Sequence, residues 1–184
     1  MTTNVAIVDE RDPLLHYTGS WQDAGSAEEF NGTTRYSTTQ GSTVSFTFVG
    51  TSISVFGTVA KEPPPQASME FMIDNSIQGT YTSPSDLTAD VHHETLYTSP
   101  ALSSGTHTLV ITQTTALAAP VIYLDYIMYN PTSTDVGQYF IDDRDPRIQY
   151  DPPWTFFGSD LDFQHTSQVS PSMGASFTLQ FDGA

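Results

Sequence analysis

The sequence predicts an all-β protein, antiparallel strands closed into a sandwich or barrel, with a second, truncated copy of the same unit behind the first. Three observations predict it. Apolar and polar residues alternate in several short runs, the period of a half-buried strand. Turn residues separate those runs, and helical periodicity of any length is missing. The chain also starts over: Val8-Asp9-Glu10-Arg11-Asp12-Pro13 returns as Ile141-Asp142-Asp143-Arg144-Asp145-Pro146, 133 positions later.

The same offset maps Tyr17 on Tyr150, Trp21 on Trp154, Gly25 on Gly158, Phe30 on Phe163 and Phe48 on Phe181. From Val5 to Gly50 the copies share 14 of 46 aligned residues without a gap. Many of these are Gly, Pro or aromatic, the residues that fix turns and cores, so the repeat reads as structural. Residues 1–133 form one whole unit, and residues 134–184 hold a linker and the first third of a second.

Along the chain, residues 43–49 alternate, Gly50-Thr51 reads as a turn, and residues 52–57 alternate again, which predicts a β-hairpin. Three prolines, Pro63 to Pro65, mark the next loop, because proline cannot donate to a ladder. Residues 68–73 form a strand closed by Asp74-Asn75, and residues 95–98 a weaker one. Gly105-Thr106 opens a strand over 107–112, residues 121–129 form the last of the unit, and residues 131–137 link the copies. Three strands cut from a sandwich leave a bare face and open edges. Either the sequence is a piece of a longer protein, the reading favoured here, or residues 138–184 pair with the first unit or a neighbouring chain by strand exchange or dimerisation.

Composition excludes several functions. There are 21 acids against 5 bases, a net charge of −16. Nucleic-acid binding needs clustered Lys and Arg, so it is excluded, and an anionic membrane surface is disfavoured. Cysteine is absent, which removes disulfides, thiolate metal sites and a Cys nucleophile. No run of about 18 apolar residues reads as a membrane span, and no signal peptide is visible. Charged residues are only 14%, and Ser and Thr fill the surface instead, which suits an extracellular or cell-surface β-protein.

The closing segments, Gly105-Thr-His-Thr-Leu-Val-Ile111 and Val121-Ile-Tyr-Leu-Asp125-Tyr-Ile127, resemble the last strands of galactose-binding-like β-sandwich domains, a group that includes many carbohydrate-binding modules. The opening Asp-Pro segment, with Tyr17 and Trp21 after it, is similar to tandem ectodomains of mushroom-forming (basidiomycete) fungi. These resemblances imply a jelly-roll sandwich and a glycan or cell-surface partner. They imply no required cofactor. Relatives in the first group often hold a structural Ca²⁺ near the chain termini. In a jelly roll the first and last strands are neighbours, so Asp9, Asp12 and Asp125 are candidate Ca²⁺ ligands, oxygen donors of the kind Ca²⁺ requires. The competing reading pairs the acids with Arg11 and with their own turn. Alternation on a strand would also send Asp9 and Glu10 to opposite faces.

For sugar binding the candidates are Trp21, Tyr81, Tyr97 and Tyr17, flat rings beside predicted loops. Tyr17 and Trp21 recur in the second copy, which favours a packing role for them. His92-His93-Glu94 is the only His cluster and reads as a solvated loop. Asn31-Gly32-Thr33 is a glycosylation sequon. Neither a G-x-S-x-G elbow nor an HExxH motif occurs. The leading expectation is a non-catalytic extracellular module that binds carbohydrate. The alternatives are a structural or adhesion spacer, and a glycoside hydrolase or lyase using carboxylates such as Asp74, Asp86 or Asp90.

Overall fold

A computed structural model describes residues 4–61, 66–132, 137–159 and 162–181. The Pro63–Pro65 loop and most of the linker expected over 131–137 lie outside them. The first unit runs β1 (Val5–Asp9), β2 (Leu15–Thr18), β3 (Gln22–Ala24), β4 (Thr34–Tyr36), β5 (Thr43–Val59), β6 (Ser68–Ile73), β7 (Ile77–Thr82), β8 (Val91–Thr98), β9 (Gly105–Gln113) and β10 (Ile122–Pro131). It is a jelly-roll β-sandwich whose two sheets share one strand. The first half of β5 pairs with β2 and β9, and β9 continues to β6 and β7. The second half of β5 pairs with β8 and β10, and β10 carries β1 and β4 on its other edge.

Strand β5 corrects the hairpin expected around Gly50-Thr51. Val44, Phe46 and Phe48 point inward, then the inward set becomes Ile53, Val55 and Val59. That change of parity looks like a turn in sequence. Here it marks the bend at which one continuous strand passes from sheet to sheet. Gly50 sits at the bend, opposite both Gly105 and Pro131. A Cβ there would meet the Asn130 carbonyl at 2.5 Å, so the close approach requires glycine.

The core between the sheets is made by Phe46, Phe71 and Ile111 on one side and Ile53, Leu124 and Ile127 on the other, all buried. Burying one such side chain is worth about 1.5–3 kcal/mol, while an exposed ion pair contributes about 0–1, so the core holds the sandwich. Asp74 and Asn75 both take positive φ in the β6–β7 turn, the conformation of the primed turns that suit hairpins. Strand β8 is longer than expected and includes the His pair read as loop, with a bulge at its β5 ladder. No helix among the described residues is long and apolar enough to cross a membrane.

The second copy continues with β11 (Tyr139–Phe140), β12 (Ile148–Tyr150), β13 (Thr155–Phe157), β14 (Ser167–Val169) and β15 (Phe177–Leu179). Its registers repeat the first copy's: Tyr150 faces Phe177 as Tyr17 faces Val44, and Thr155 faces Val169 as Gln22 faces Tyr36. The side-chain bonds repeat too. Tyr150 Oη donates to the Asp143 carbonyl at 2.8 Å, as Tyr17 Oη does to the Glu10 carbonyl at 2.6 Å. Gly25 and Gly158 face equivalent backbone, at Gly32–Thr33 and His165–Thr166, with no room for a Cβ.

Strand β11 pairs with β1 and so extends the first unit's sheet. The boundary at 133/134 therefore separates repeats in sequence while the first unit's sheet takes in β11, and the other strands of the second copy pair among themselves, β12 with β15 and β13 with β14. Phe140 and Phe163 cover the outer face of that sheet over Ile7, Phe56, Tyr126 and Met128. Phe177 and Phe181, which stand where Val44 and Phe48 are buried in the first copy, are exposed.

Candidate functional site

Two adjoining features on the β5–β10 sheet make the candidate site. The first is a buried group of acids. Glu10 follows β1 and lies opposite Asp125, with the Glu10 amide donating to the Asp125 carbonyl at 3.0 Å. Asp125 sits at a bulge in β10, where the pairing with β5 skips a residue. Both side chains are fully buried. Asp125 accepts the Phe30 amide at 3.1 and 3.2 Å, and His93 Nδ1 lies 3.7 Å from it. Neither Glu10 oxygen accepts a hydrogen bond, and Arg11 Nε stands 3.6 Å away. Burial pushes the Asp125 carboxyl up to about 8, reinforced by the charges of Glu10, Glu29 and Asp9 against the Phe30 amide. Burial likewise pushes Glu10 up to about 7, helped by the charge of Asp9 and opposed by that of Arg11. His93 is held below its ordinary value by burial and by His92.

The second feature is a cleft of about 230 Å³ beside that group, lined among others by Ser26, Glu29, Thr58, Asp90, His92 and Tyr123. Glu29 anchors it. Its carboxylate accepts from the Ser26 amide at 2.5 Å and from the Thr58 hydroxyl at 3.0 Å, and His92 Nδ1 is 3.0 Å away. Burial raises the Glu29 pKa, but these hydrogen bonds and His92 outweigh it and leave the carboxyl below its ordinary value. Tyr123 packs edge-on to Tyr36 at 5.2 Å, and Tyr36 Oη donates to Gln22 Oε1 at 3.0 Å. The cleft therefore offers a ring, two carboxylates, an imidazole and hydroxyls within one concavity.

The residues expected from sequence fall elsewhere. Tyr17 is committed to the Glu10 carbonyl, lies under the Arg35 guanidinium at 4.7 Å and meets Trp21 edge-on at 5.2 Å. Trp21 Nε1 donates to the Thr43 carbonyl at 3.1 Å. Tyr97 is buried and stacks on Phe71 at 4.9 Å, so its ring faces the core rather than a ligand. Tyr81 is half-buried and donates to Glu94 Oε1 at 3.3 Å. These rings do not converge on one cavity.

Among the acids, Asp9 accepts from Arg11 at 3.0 Å and from Asn31 Nδ2 at 2.7 Å. Burial alone would raise its pKa, and these bonds hold it below the carboxylate norm. Asp12 accepts the Leu14 amide at 2.9 Å, closing its own turn. Of the three Ca²⁺ candidates, only Asp125 is in the buried group, and Glu10 takes the place expected for Asp9. Asn31 is exposed, with positive φ, and its carboxamide nitrogen is the one that reaches Asp9. Asp74 pairs with His107 at 2.6 Å, and Asp90 accepts the Lys61 amide at 3.0 Å. Sequence reasoning weighed Glu10 with the acidic opening without choosing it as a ligand, and it missed Glu29 and Tyr123. Tyr123 had a signal, because alternation along β10 sends it outward between inward Ile122 and Leu124.

The two Glu10 oxygens are buried and unpartnered and fit a hard cation, and Asp125, buried beside them with its oxygens sharing the Phe30 amide, is the second carboxylate that would hold one. Among the described residues no three Asp, Glu or His side chains converge at metal-ligand spacing, so backbone carbonyls or water would have to complete the shell.

No family model matches the chain. It is 27% identical over 176 residues to the A type blood alpha-D-galactosamine galactosaminidase of Flavonifractor plautii, covering 96% of this chain and 15% of that protein. It is 30% identical over 122 residues to the A type blood N-acetyl-alpha-D-galactosamine deacetylase of the same organism, covering 66% of this chain and 14% of that protein. The chain thus spans about one seventh of the length of these curated relatives. Among solved structures, a two-domain esterase (CEX) active on acetylated mannans superposes with a TM-score of 0.57 at 16% identity, over 71% of this chain and 38% of that one. A CBM35 module from Cellvibrio japonicus Abf62 superposes with a TM-score of 0.49 at 13% identity, over 70% of this chain and 94% of that one. The esterase match is one of fold: a β-sandwich of a kind found in a carbohydrate-active enzyme.

Proposed function

We propose that this chain is a non-catalytic, extracellular carbohydrate-binding module of a larger protein, with its sugar site in the Tyr123 cleft. The observation that carries the reading is the cleft's chemistry. Sugars present apolar C–H faces flanked by hydroxyls, and Tyr123 beside Asp90, His92 and Glu29 supplies a ring with hydrogen-bonding groups around it. The curated relatives support the class of ligand, since both names specify galactosamine sugars. Their length supports the setting, a module within a larger carbohydrate-active protein.

Within this reading Glu10 and Asp125 hold a structural Ca²⁺ beneath the cleft. The cation would neutralise two buried carboxylates and fix the 25–33 segment, which reaches Asp125 through the Phe30 amide.

The test is isothermal titration with N-acetyl-D-galactosamine and with mannopentaose, repeated on Tyr123→Ala. Binding that weakens at least tenfold in the variant, with an unchanged melting temperature, supports the proposal. No heat with either sugar, and none with a wider polysaccharide panel, would sink it. One observation favours a second reading, a spacer in a stacked array: Phe140 and Phe163 fix the second copy against the first.

A further inference from the structure

A cavity of about 520 Å³ lies in the seam between the two copies, away from the Tyr123 cleft. That volume is within the roughly 300–1,000 Å³ of ligand-sized clefts. Its apolar lining is shared: Phe56 and Met128 come from the first unit, Phe140 and Phe163 from the second. Its polar lining is shared too. Ser52 and Ser54 share a strand face with Phe56, and Asn130 shares one with Met128. Asp142, Arg144 and Asp145 enter from the repeated motif.

The charges decide what chemistry fits. Arg144 Nε lies 2.8 Å from Asp142, and Asp145 is held by Arg147 Nη2 at 2.7 Å. The wall therefore presents hydrogen-bonding atoms in neutralised pairs. An anionic ligand would meet the oxygens of Asp142 and Asp145, and a cation would meet Arg144. A wholly apolar ligand would leave Ser52, Asn130 and the ion pairs desolvated without partners, which is costly. A neutral ring with one apolar face and several hydroxyls satisfies both halves of the lining.

We infer that the seam is a second carbohydrate site, built jointly by the two copies, for a neutral sugar residue. It rests on the glycan-binding reading but uses residues that the Tyr123 cleft does not. Neither copy supplies the cavity alone, so the second copy acts as part of the binding surface.

The test is titration of the 184-residue chain with N-acetyl-D-galactosamine and with mannopentaose, in the parent protein, in Tyr123→Ala, and in Tyr123→Ala combined with Ser52→Trp. Ser52 is partly exposed, and the indole would fill the cavity from an outward strand position. The expected result is residual binding in Tyr123→Ala that Ser52→Trp weakens at least tenfold. Asn130→Ala, a smaller change, weakens it about three- to tenfold and keeps the test decisive if Ser52→Trp does not fold. Residual binding indifferent to Asn130→Ala and Ser52→Trp overturns the seam site. So does complete loss of binding in Tyr123→Ala, which leaves the cleft reading standing. A parent protein that binds neither sugar nor a wider panel overturns both.

Discussion

Phe163 packs edge-on to Phe56 at 5.7 Å, across the boundary between the copies. Its repeat equivalent Phe30 packs against Tyr126 at 5.5 Å, and Phe163 reaches the same Tyr126 ring at 6.4 Å. The rings at position 30 of both copies thus pack on one outer sheet face, that of the first unit. This predicts that Phe163→Ala loosens the seam. The cost should be about 1–2 kcal/mol, below the roughly 3–5 of a fully buried Phe→Ala, because the ring is partly exposed. Denaturant unfolding measures it. Hydrogen exchange should show protection lost at Tyr139 and Phe140 while β9 stays protected. Uniform loss in both regions would contradict a local seam.

Tyr17 and Trp21 act on the backbone of their own copy, so changing them should affect folding rather than sugar affinity. Tyr17→Phe removes one hydrogen bond to the Glu10 carbonyl and should cost about 0.5–1.5 kcal/mol. The dissociation constant for any sugar that binds should not move. A variant of unchanged melting temperature that binds tenfold more weakly would return Tyr17 to the ligand site.

Much of the fold could be read from the sequence, for physical reasons that also explain the failures. Alternation found β6 and β9 because each has one face on the core, while β10 read as a continuous apolar run because both its faces are covered. The repeat found the turns because Gly25 and Gly158 meet backbone that excludes a Cβ. The corner in β5 was misread because a turn and a change of sheet leave the same parity switch. Tyr97 was misplaced because a ring beside a loop gives no sign of its partner, and Phe71 lies in a different strand. Glu10 was passed over for Asp9 because both are acids in one motif. Only the fold shows that Asp9 meets Arg11 and Asn31 while Glu10 turns under β10.

His107 and Asp74 pin the β6–β7 turn to β9, with Asp74 also accepting the Thr108 amide at 2.9 Å. The bond to Asp74 raises the His107 pKa above its ordinary 6.5, and the same bond lowers Asp74 below 3.8. The His contribution to stability is full below 6.5 and is lost as pH rises through the raised folded value. The Asp contribution is present above 3.8 and is lost as pH falls through the lowered folded value. A double-mutant cycle of Asp74→Asn and His107→Gln should therefore show coupling at about pH 5.5 that fades by about pH 9. Coupling constant across that range would mean the pair is not ionic. The Asp74 bond to Thr108 predicts in addition that Asp74→Ala destabilises more than His107→Gln.

The buried acids impose the opposite demand on their own protons. Unfolded Asp ionises near 3.8 and unfolded Glu near 4.5, while folded Asp125 and Glu10 hold protons up to about 8 and about 7. Protonation therefore favours the native state. Its contribution is full below the unfolded values and disappears as pH rises through the folded ones. Without metal, the melting temperature should fall from about pH 5 to about pH 8.5, and Asp125→Asn should flatten much of that fall. Ca²⁺ competes with those protons, so its stabilisation should be small at about pH 5 and large at about pH 8, where a hundredfold excess over its dissociation constant gives about 2.7 kcal/mol. Differential scanning calorimetry with Ca²⁺ and with EDTA at both pH values distinguishes the outcomes. A Ca²⁺ effect that is equal at both, or that survives Glu10→Gln with Asp125→Asn, would place the cation elsewhere. A steep fall with pH that Ca²⁺ leaves untouched would mean the two carboxyls serve as protonated core groups, and that protons alone balance the charge beneath the cleft.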